Sequence, residues 1–121
     1  MIQATFRVVP PGERQQELIE VLSCMKEPTE ALDGCRGYQI LRDVNDSRAI
    51  SWLEWWDCLA DLEGHIRSDR FRRLLPYIEM SVVPPQVMVG VIDPVHGMEY
   101  IVNTIVSEQA SENRIEKGDR S

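Results

Sequence analysis

The segment RAISWLEWW, residues 48–56, restricts the fold of this chain more than any other stretch. Its side chains fall into two alternating sets, Ile50, Trp52, Glu54 and Trp56 against Ser51, Leu53 and Trp55. An alternation with period two is typical of a β-strand. The Asn-Asp-Ser turn at 45–47 predicts that this strand forms an antiparallel hairpin with the segment 33–44. Both sets are rich in apolar atoms, so we expect both faces of the strand to be covered.

The remaining segments predict a strand before the hairpin, a strand after it, and helices between the strands. IQATFRVV at 2–9 has strand composition and stops at a proline pair. Apolar residues then recur at helical spacing in a helix that ends near Pro28. After the hairpin the same spacing predicts two helices, of which the second begins at Ser68 and is kinked or ended at Pro76. QVMVGVI at 86–92 predicts the last strand.

The order strand, helix, strand, strand, helices, strand predicts an α+β fold. It is the order of a ferredoxin-like split βαβ sandwich, with an antiparallel sheet and helices on one face. We expect one domain over residues 1–93 and a C-terminal extension over 94–121. In the extension, MEYIVNTIVS predicts a strand over about 98–107 from its composition. The polar segment EQASENRIEKGDRS that follows predicts a flexible tail.

Charge and cysteine content disfavour several partners and locations. The net charge of −7 disfavours nucleic-acid binding, which needs clustered excess Lys and Arg. A local basic run is explained either as a solvated helix face or as an anion site: Arg67, Arg70, Arg72 and Arg73. No apolar stretch approaches the roughly 20 residues of a membrane helix, and the start of the chain lacks a secretory pattern. Three cysteines without a CxxC pair predict reduced thiols and a cytoplasmic location.

Four segments resemble the antibiotic biosynthesis monooxygenase family of the dimeric α/β-barrel superfamily: MIQATFRVVPPGE, DGCRGYQILRD, LEWWDCLADLEGHIRSDRF and VVPPQVMVGVI. The most specific match joins an acidic residue and a tryptophan at a strand end to a His-x-x-Ser-x-x-Phe segment, here Glu54, Trp56, His65, Ser68 and Phe71. The resemblance implies a homodimer whose sheets pack face to face as a dimeric α/β barrel. The C-terminal extension departs from the shortest members of the family, and we expect its segment MEYIVNTIVS to add an edge strand or to reach across to the partner subunit.

The resemblance also implies a reaction, the oxidation of a quinol or polycyclic aromatic, polyketide-like substrate by O2 without metal or flavin. The haem-degrading members of the family use an Asn on the first strand and a His on the second of the paired helices. Arg7 and Leu75 occupy those places in this chain, which argues against haem degradation.

A cofactor-independent monooxygenase needs a base and a dry aromatic pocket. His65 is the candidate base, because a neutral imidazole accepts protons near pH 7; alternatively it bonds carbonyls left free between two helices. Glu54 is the candidate orienting group, since a buried carboxylate needs a partner such as an Arg, His65 or a ligand. If Glu54 instead lies at a solvated pocket mouth, its carboxylate needs no partner. Five residues are candidate pocket walls or plain core: Trp52, Trp56, Phe71, Tyr38 and Tyr77.

Two functions therefore remain open. One is the cofactor-independent monooxygenase with His65 and Glu54 as its catalytic residues. The other is a non-catalytic dimeric module that binds a small aromatic ligand or serves in assembly. A metal centre is not expected, because His65 and His96 are the only histidines and His96 lies in a turn segment.

Overall fold

The computed structural model describes residues 1–116, with side chains through residue 110. Its elements follow the predicted order through the last strand and confirm the α+β, ferredoxin-like fold. The strands are β1 (Ile2–Val8), β2 (Cys35–Arg42), β3 (Ile50–Trp56) and β4 (Gln86–Val91). The helices are α1 (Arg14–Glu30), α2 (Leu59–Ile66), α3 (Asp69–Arg72), α4 (Leu75–Glu79) and α5 (Met98–Glu116).

The four strands form one antiparallel sheet in the order β2-β3-β1-β4. Alternate residues of β1 and β3 are buried, as the period-two pattern predicts. On the buried face, Ala4 lies between Glu54 and Val89, and Phe6 lies between Trp52 and Val87. Helix α1 packs its Leu18, Leu22 and Met25 against this face. The core therefore lies between the helices and one side of the sheet.

The opposite face of the sheet is uncovered in the single chain. Ser51, Leu53 and Trp55 of β3 are only half-buried there. The Trp55 indole donates to the side chain of Gln3 at 3.1 Å across the β1–β3 pair. The sequence predicts that both faces of β3 are covered. Within one chain only the face toward the helices is covered.

The prolines act differently from the sequence expectation. Helix α1 continues through Pro28 to Glu30. Pro28 is exposed and lies in the last turn, where its missing N–H removes only one backbone hydrogen bond of the helix. The second helical region breaks after Arg72, ahead of Pro76. Pro76 lies in the first turn of α4, where its missing N–H has no helical partner to lose.

The predicted strand over about 98–107 is wrong, because this segment belongs to α5. Its β-branched composition suggested a strand, but its apolar residues recur every three or four positions, which is the helical period. They are Met98, Ile101, Val102, Ile105 and Val106. The predicted flexible tail is helical through Glu116, and residues 117–121 lie outside the described part. No described helix is long and apolar enough to cross a membrane.

Candidate functional site

A buried carboxylate and imidazole meet between the sheet and α2. Glu54 is fully buried on the inner face of β3. Its Oε2 lies 3.2 Å from Nε2 of His65, and its Oε1 accepts a hydrogen bond of 3.0 Å from the Trp56 indole. Each carboxylate oxygen thus has its own partner. Of the open sequence alternatives, the structure supports pairing of Glu54 with His65.

The local sequence fixes the position of His65. It lies in the last turn of α2, and its backbone carbonyl accepts hydrogen bonds from the amide and hydroxyl of Ser68. The Ser68 hydroxyl also accepts from the Phe71 amide and so caps α3. The helix junction is therefore closed by Ser68 and not by the imidazole. This leaves the His65 ring free to pair with Glu54.

Aromatic rings enclose the pair. The His65 ring lies 5.1 Å from the Trp56 ring and meets the edge of Phe71 at 5.5 Å. On the neighbouring strands, Trp52 stacks on Phe6 with 4.9 Å between ring centroids and 10° between planes. Electrostatic interactions are stronger in such buried surroundings than in solution.

Three polar atoms of this region are buried without a hydrogen-bond partner: His65 Nδ1, Tyr38 hydroxyl and Trp52 Nε1. Tyr38 lies opposite Glu54 in the β2–β3 register. Its burial and the nearby Glu54 carboxylate raise the pKa of its phenol, so the hydroxyl stays protonated. Most buried polar atoms in folded proteins are paired. Three unpaired atoms in one buried region indicate a place where a polar ligand could bind.

An open cleft of about 360 Å³ reaches this region from the surface. We call it the His65 cleft; it is lined by Leu32, Asp33, Trp56, Ala60, Asp61, Gly64, His65, Ser68 and Arg70. Its rim thus carries two carboxylates and one guanidinium. Gly64 lies within α2, and a Cβ added there would meet no atom within 4 Å. Packing in the single chain therefore does not require glycine at this position.

Six of the seven predicted site residues are buried in one connected region. Glu54 and His65 contact each other, Trp56 bonds Glu54, and Phe71 packs on His65. Trp52 and Tyr38 flank Glu54 on the same sheet face. Tyr77 packs against the edge of the same core but lines a separate cleft between α1 and α4, beside Glu17 and Arg73. The break between α3 and α4 separates it from the others.

The sequence interpretation missed the cleft residues on α2 and the loop before β2. Asp33 and Asp61 carry no pattern that sets them apart from other surface acids. Gly64 does carry a signal, since an isolated glycine inside a helical pattern costs stability and usually has a reason. Phe6 was missed too, although its place in β1 puts it opposite Trp52.

The described residues contain no group of three His, Cys, Asp or Glu side chains arranged to share a metal ion. The three cysteines are unpaired. The chemistry this arrangement offers is proton transfer at an imidazole that is held by a carboxylate and surrounded by aromatic rings.

Sequence comparison identifies one family. The family model described as antibiotic biosynthesis monooxygenase matches residues 1–76, which include β1 to β3 and the whole Glu54–His65 pair. No curated protein matches the sequence.

Solved structures share the fold. Rv0793 from Mycobacterium tuberculosis superposes with a TM-score of 0.67 at 22% identity, covering 80% of this chain and 97% of that chain. A Deinococcus radiodurans protein assigned to the antibiotic biosynthesis monooxygenases gives 0.72 at 16% identity, covering 81% and 98%. A third structure, named antibiotic biosynthesis monooxygenase, gives 0.68 at 20% identity, covering 78% and 100%. At these identities the similarity establishes the fold alone.

Proposed function

The chain belongs to the antibiotic biosynthesis monooxygenase family, and from this premise we propose that it is a cofactor-independent monooxygenase acting on a quinol or polycyclic phenol. The observation that carries the proposal is the buried Glu54–His65 pair with an unpaired Nδ1. A carboxylate only accepts hydrogen bonds, so Nε2 of His65 donates to Glu54 and Nδ1 keeps its lone pair. Nδ1 is then the proton acceptor.

The reaction follows from that assignment. Nδ1 takes the proton of a phenolic hydroxyl, and the resulting imidazolium is stabilised by the Glu54 carboxylate. The phenolate passes one electron to O2, and the two radicals combine at a ring carbon that bears hydrogen. The peroxide then loses water as its O–O bond breaks, which leaves a carbonyl at that carbon. One oxygen atom enters the product and the other leaves as water, so the step needs no further reductant.

The His65 cleft is the proposed entrance for the substrate. Small-molecule sites usually measure about 300–1,000 Å³, and a cleft of about 360 Å³ lies at the lower end. This volume favours a phenol of two fused rings over a larger polycyclic compound. Asp33 and Asp61 on the rim would accept hydrogen bonds from further hydroxyl groups of the substrate. Since Nδ1 is buried, we expect substrate binding to shift the cleft floor.

Oxygen uptake with naphthalene-1,5-diol and 1,4-naphthohydroquinone tests the proposal. The informative variant is His65→Gln, because the glutamine amide can still donate to Glu54 but is not a base at neutral pH. His96→Gln is the matched control, since His96 lies in the loop before α5. We expect the first variant to lose about 10²- to 10⁴-fold in rate and the second to keep the wild-type rate. An unchanged rate in His65→Gln would remove the imidazole from the mechanism.

Cofactor independence and dimerisation belong to the same proposal. Activity should survive extensive chelation, and the active protein should show no flavin absorbance.

The half-buried face around Leu53 and Trp55 supports a homodimer in which two sheets pack against each other. Light scattering should give twice the mass of one chain. A cytoplasmic location is likewise proposed, in keeping with three unpaired cysteines.

Full burial of the pair also favours a second candidate, a non-catalytic dimeric module that binds a small aromatic ligand. Glu54 and His65 have almost no exposed surface, as expected of a polar element that fixes core packing. In that case the same phenols would bind, with quenching of tryptophan fluorescence, and oxygen uptake would stay at the spontaneous rate. The uptake assay therefore separates the two functions.

A further inference from the structure

Helix α5 carries an apolar stripe that nothing in its own chain covers. Its five members are each 50–70% exposed: Met98, Ile101, Val102, Ile105 and Val106. Among the described residues, no strand or other helix packs along α5. Helices in water gain most of their stability from packing such a stripe. A stripe of this size therefore indicates a contact with another surface.

The edge strand β4 exposes a second apolar surface, on the same side of the sheet as the core. Val87, Val89 and Val91 are 57%, 46% and 70% exposed. They lie beside Phe6, Ala4 and Ile2 of β1, which α2 and α3 help to bury. We call these three residues the valine face. The valine face extends the helix-facing side of the sheet beyond the part that the helices cover.

The two surfaces match in length. From Val87 to Val91 a strand extends about 13 Å at 3.3 Å per residue. From Met98 to Val106 a helix extends about 12 Å at 1.5 Å per residue. Helix α5 laid on the valine face would add a helix to the layer that already covers β1 and β3.

We propose that α5 of one chain packs on the valine face of a second copy, and that the second copy returns the same contact. Within its own chain α5 does not pack along β4, so both surfaces remain free there. The exchange is reciprocal and closes as a two-fold dimer. The family model ends at residue 76, so neither surface lies within the residues that it matches. The inference goes beyond the proposed oxygenase function.

The area supports a second copy as the occupant. Eight apolar side chains per chain are about half to two-thirds exposed. Covering them in both copies removes about 1,000 Å² from water, which reaches the roughly 1,000 Å² that a specific interface needs. The exchange also contributes two equal contacts, so that each chain both gives and receives a helix.

Disulfide trapping tests the exchange. In a background where Cys24 and Cys58 are replaced by serine and Cys35 by alanine, Val89→Cys and Ile101→Cys are made on separate chains that differ in mass through a tag. Mixing and mild oxidation should give a cross-linked heterodimer on a non-reducing gel. Tyr100→Cys, on the other side of α5, replaces Ile101→Cys in the matched control and should give little product.

The double variant with both new cysteines on one chain separates the alternatives. A disulfide-linked dimer supports the exchange, whereas a monomer with an internal disulfide shows that α5 folds back on its own β4 and overturns it. Cross-linking of Ile101→Cys chains with each other, or no cross-link in any mixture, overturns it as well.

The dimer dissociation constant provides a measurement that does not depend on cysteines. Ile101→Asp places a charge in the stripe, and Asn103→Asp places the same charge on another side of α5. We expect the first variant to weaken the dimer at least about tenfold and the second to leave it unchanged. Equal dissociation constants for the two variants contradict the exchange.

Discussion

Replacing His65 by leucine should destabilise the fold more than replacing both His65 and Glu54. In His65→Leu the Glu54 carboxylate stays buried and keeps only the Trp56 indole as a partner. Removing the partner of a buried charged group typically costs about 3–5 kcal/mol, because the charge is left uncompensated. Such a loss is a large part of the roughly 5–15 kcal/mol that stabilises a typical domain.

The double variant Glu54→Leu, His65→Leu removes the carboxylate as well. Only the Trp56 N–H then lacks an acceptor, at a cost of about 1–3 kcal/mol. Leucine fills much of the space of either side chain, so the cavity contribution stays small. The second substitution should therefore restore about 2 kcal/mol of the stability that the first one removed.

Urea unfolding followed by far-ultraviolet circular dichroism measures both costs. All variants are compared at one protein concentration, because the apparent stability of a dimer depends on concentration. His96→Leu combined with Glu54→Leu is the control, and its effects should add. If the Glu54 and His65 substitutions also add, the two side chains do not stabilise each other and the assignment of their contact is wrong.

Further predictions concern single side chains. Tyr38→Phe removes a buried hydroxyl that has no partner, so the urea midpoint should stay equal or rise; a clear fall would reveal a missed hydrogen bond. Gly64→Ala should raise stability by about 0.5–1 kcal/mol in thermal melts and raise KM, because the new methyl group enters the His65 cleft; an unchanged KM would exclude this cleft as the entrance. Ser68→Ala should cost about 1 kcal/mol in urea unfolding through the lost cap, and a loss below about 0.3 kcal/mol would contradict the capping role. Backbone amides and Arg7 lower the pKa of Asp43. Its stabilising effect is therefore present above its unfolded pKa of about 4 and lost as the pH falls through the lower folded pKa, so the stabilities of wild type and Asp43→Asn should converge in acid; a constant difference at all pH values would contradict it.

The fold could be predicted because local signals agreed with one another. The alternation in β3 fixed which side chains share a face, and Ser68 marked the start of α3. The partner of Glu54 could not be chosen in advance among an arginine, His65 and a ligand. That choice depends on how α2 is rotated against the sheet, which is set by packing and leaves no periodic signal.

The segment 98–107 and Tyr77 differ from the expectation for different physical reasons. In the segment 98–107 the β-branched composition predicts a strand, whereas the spacing of the same apolar residues predicts the helix that forms. The sequence makes Tyr77 a candidate wall of the same pocket as Phe71, or plain core. The chain instead leaves the helical path between α3 and α4, which turns Tyr77 toward α1. Short apolar segments with an internal proline do not reveal where a helix will break.

Several costly features are concentrated where β3 meets α2. A buried carboxylate, an imidazole nitrogen without a partner and a helix glycine with free space around it each lower stability. A core that served packing alone could replace the whole polar set of Glu54, His65 and Trp56 with apolar side chains and hold alanine at 64, changes that are often neutral or stabilising. Departures from local rules tend to collect at functional sites, where they are balanced by the rest of the fold. The concentration of all three beside one open cleft therefore supports a site of chemistry or binding over a purely structural polar pair.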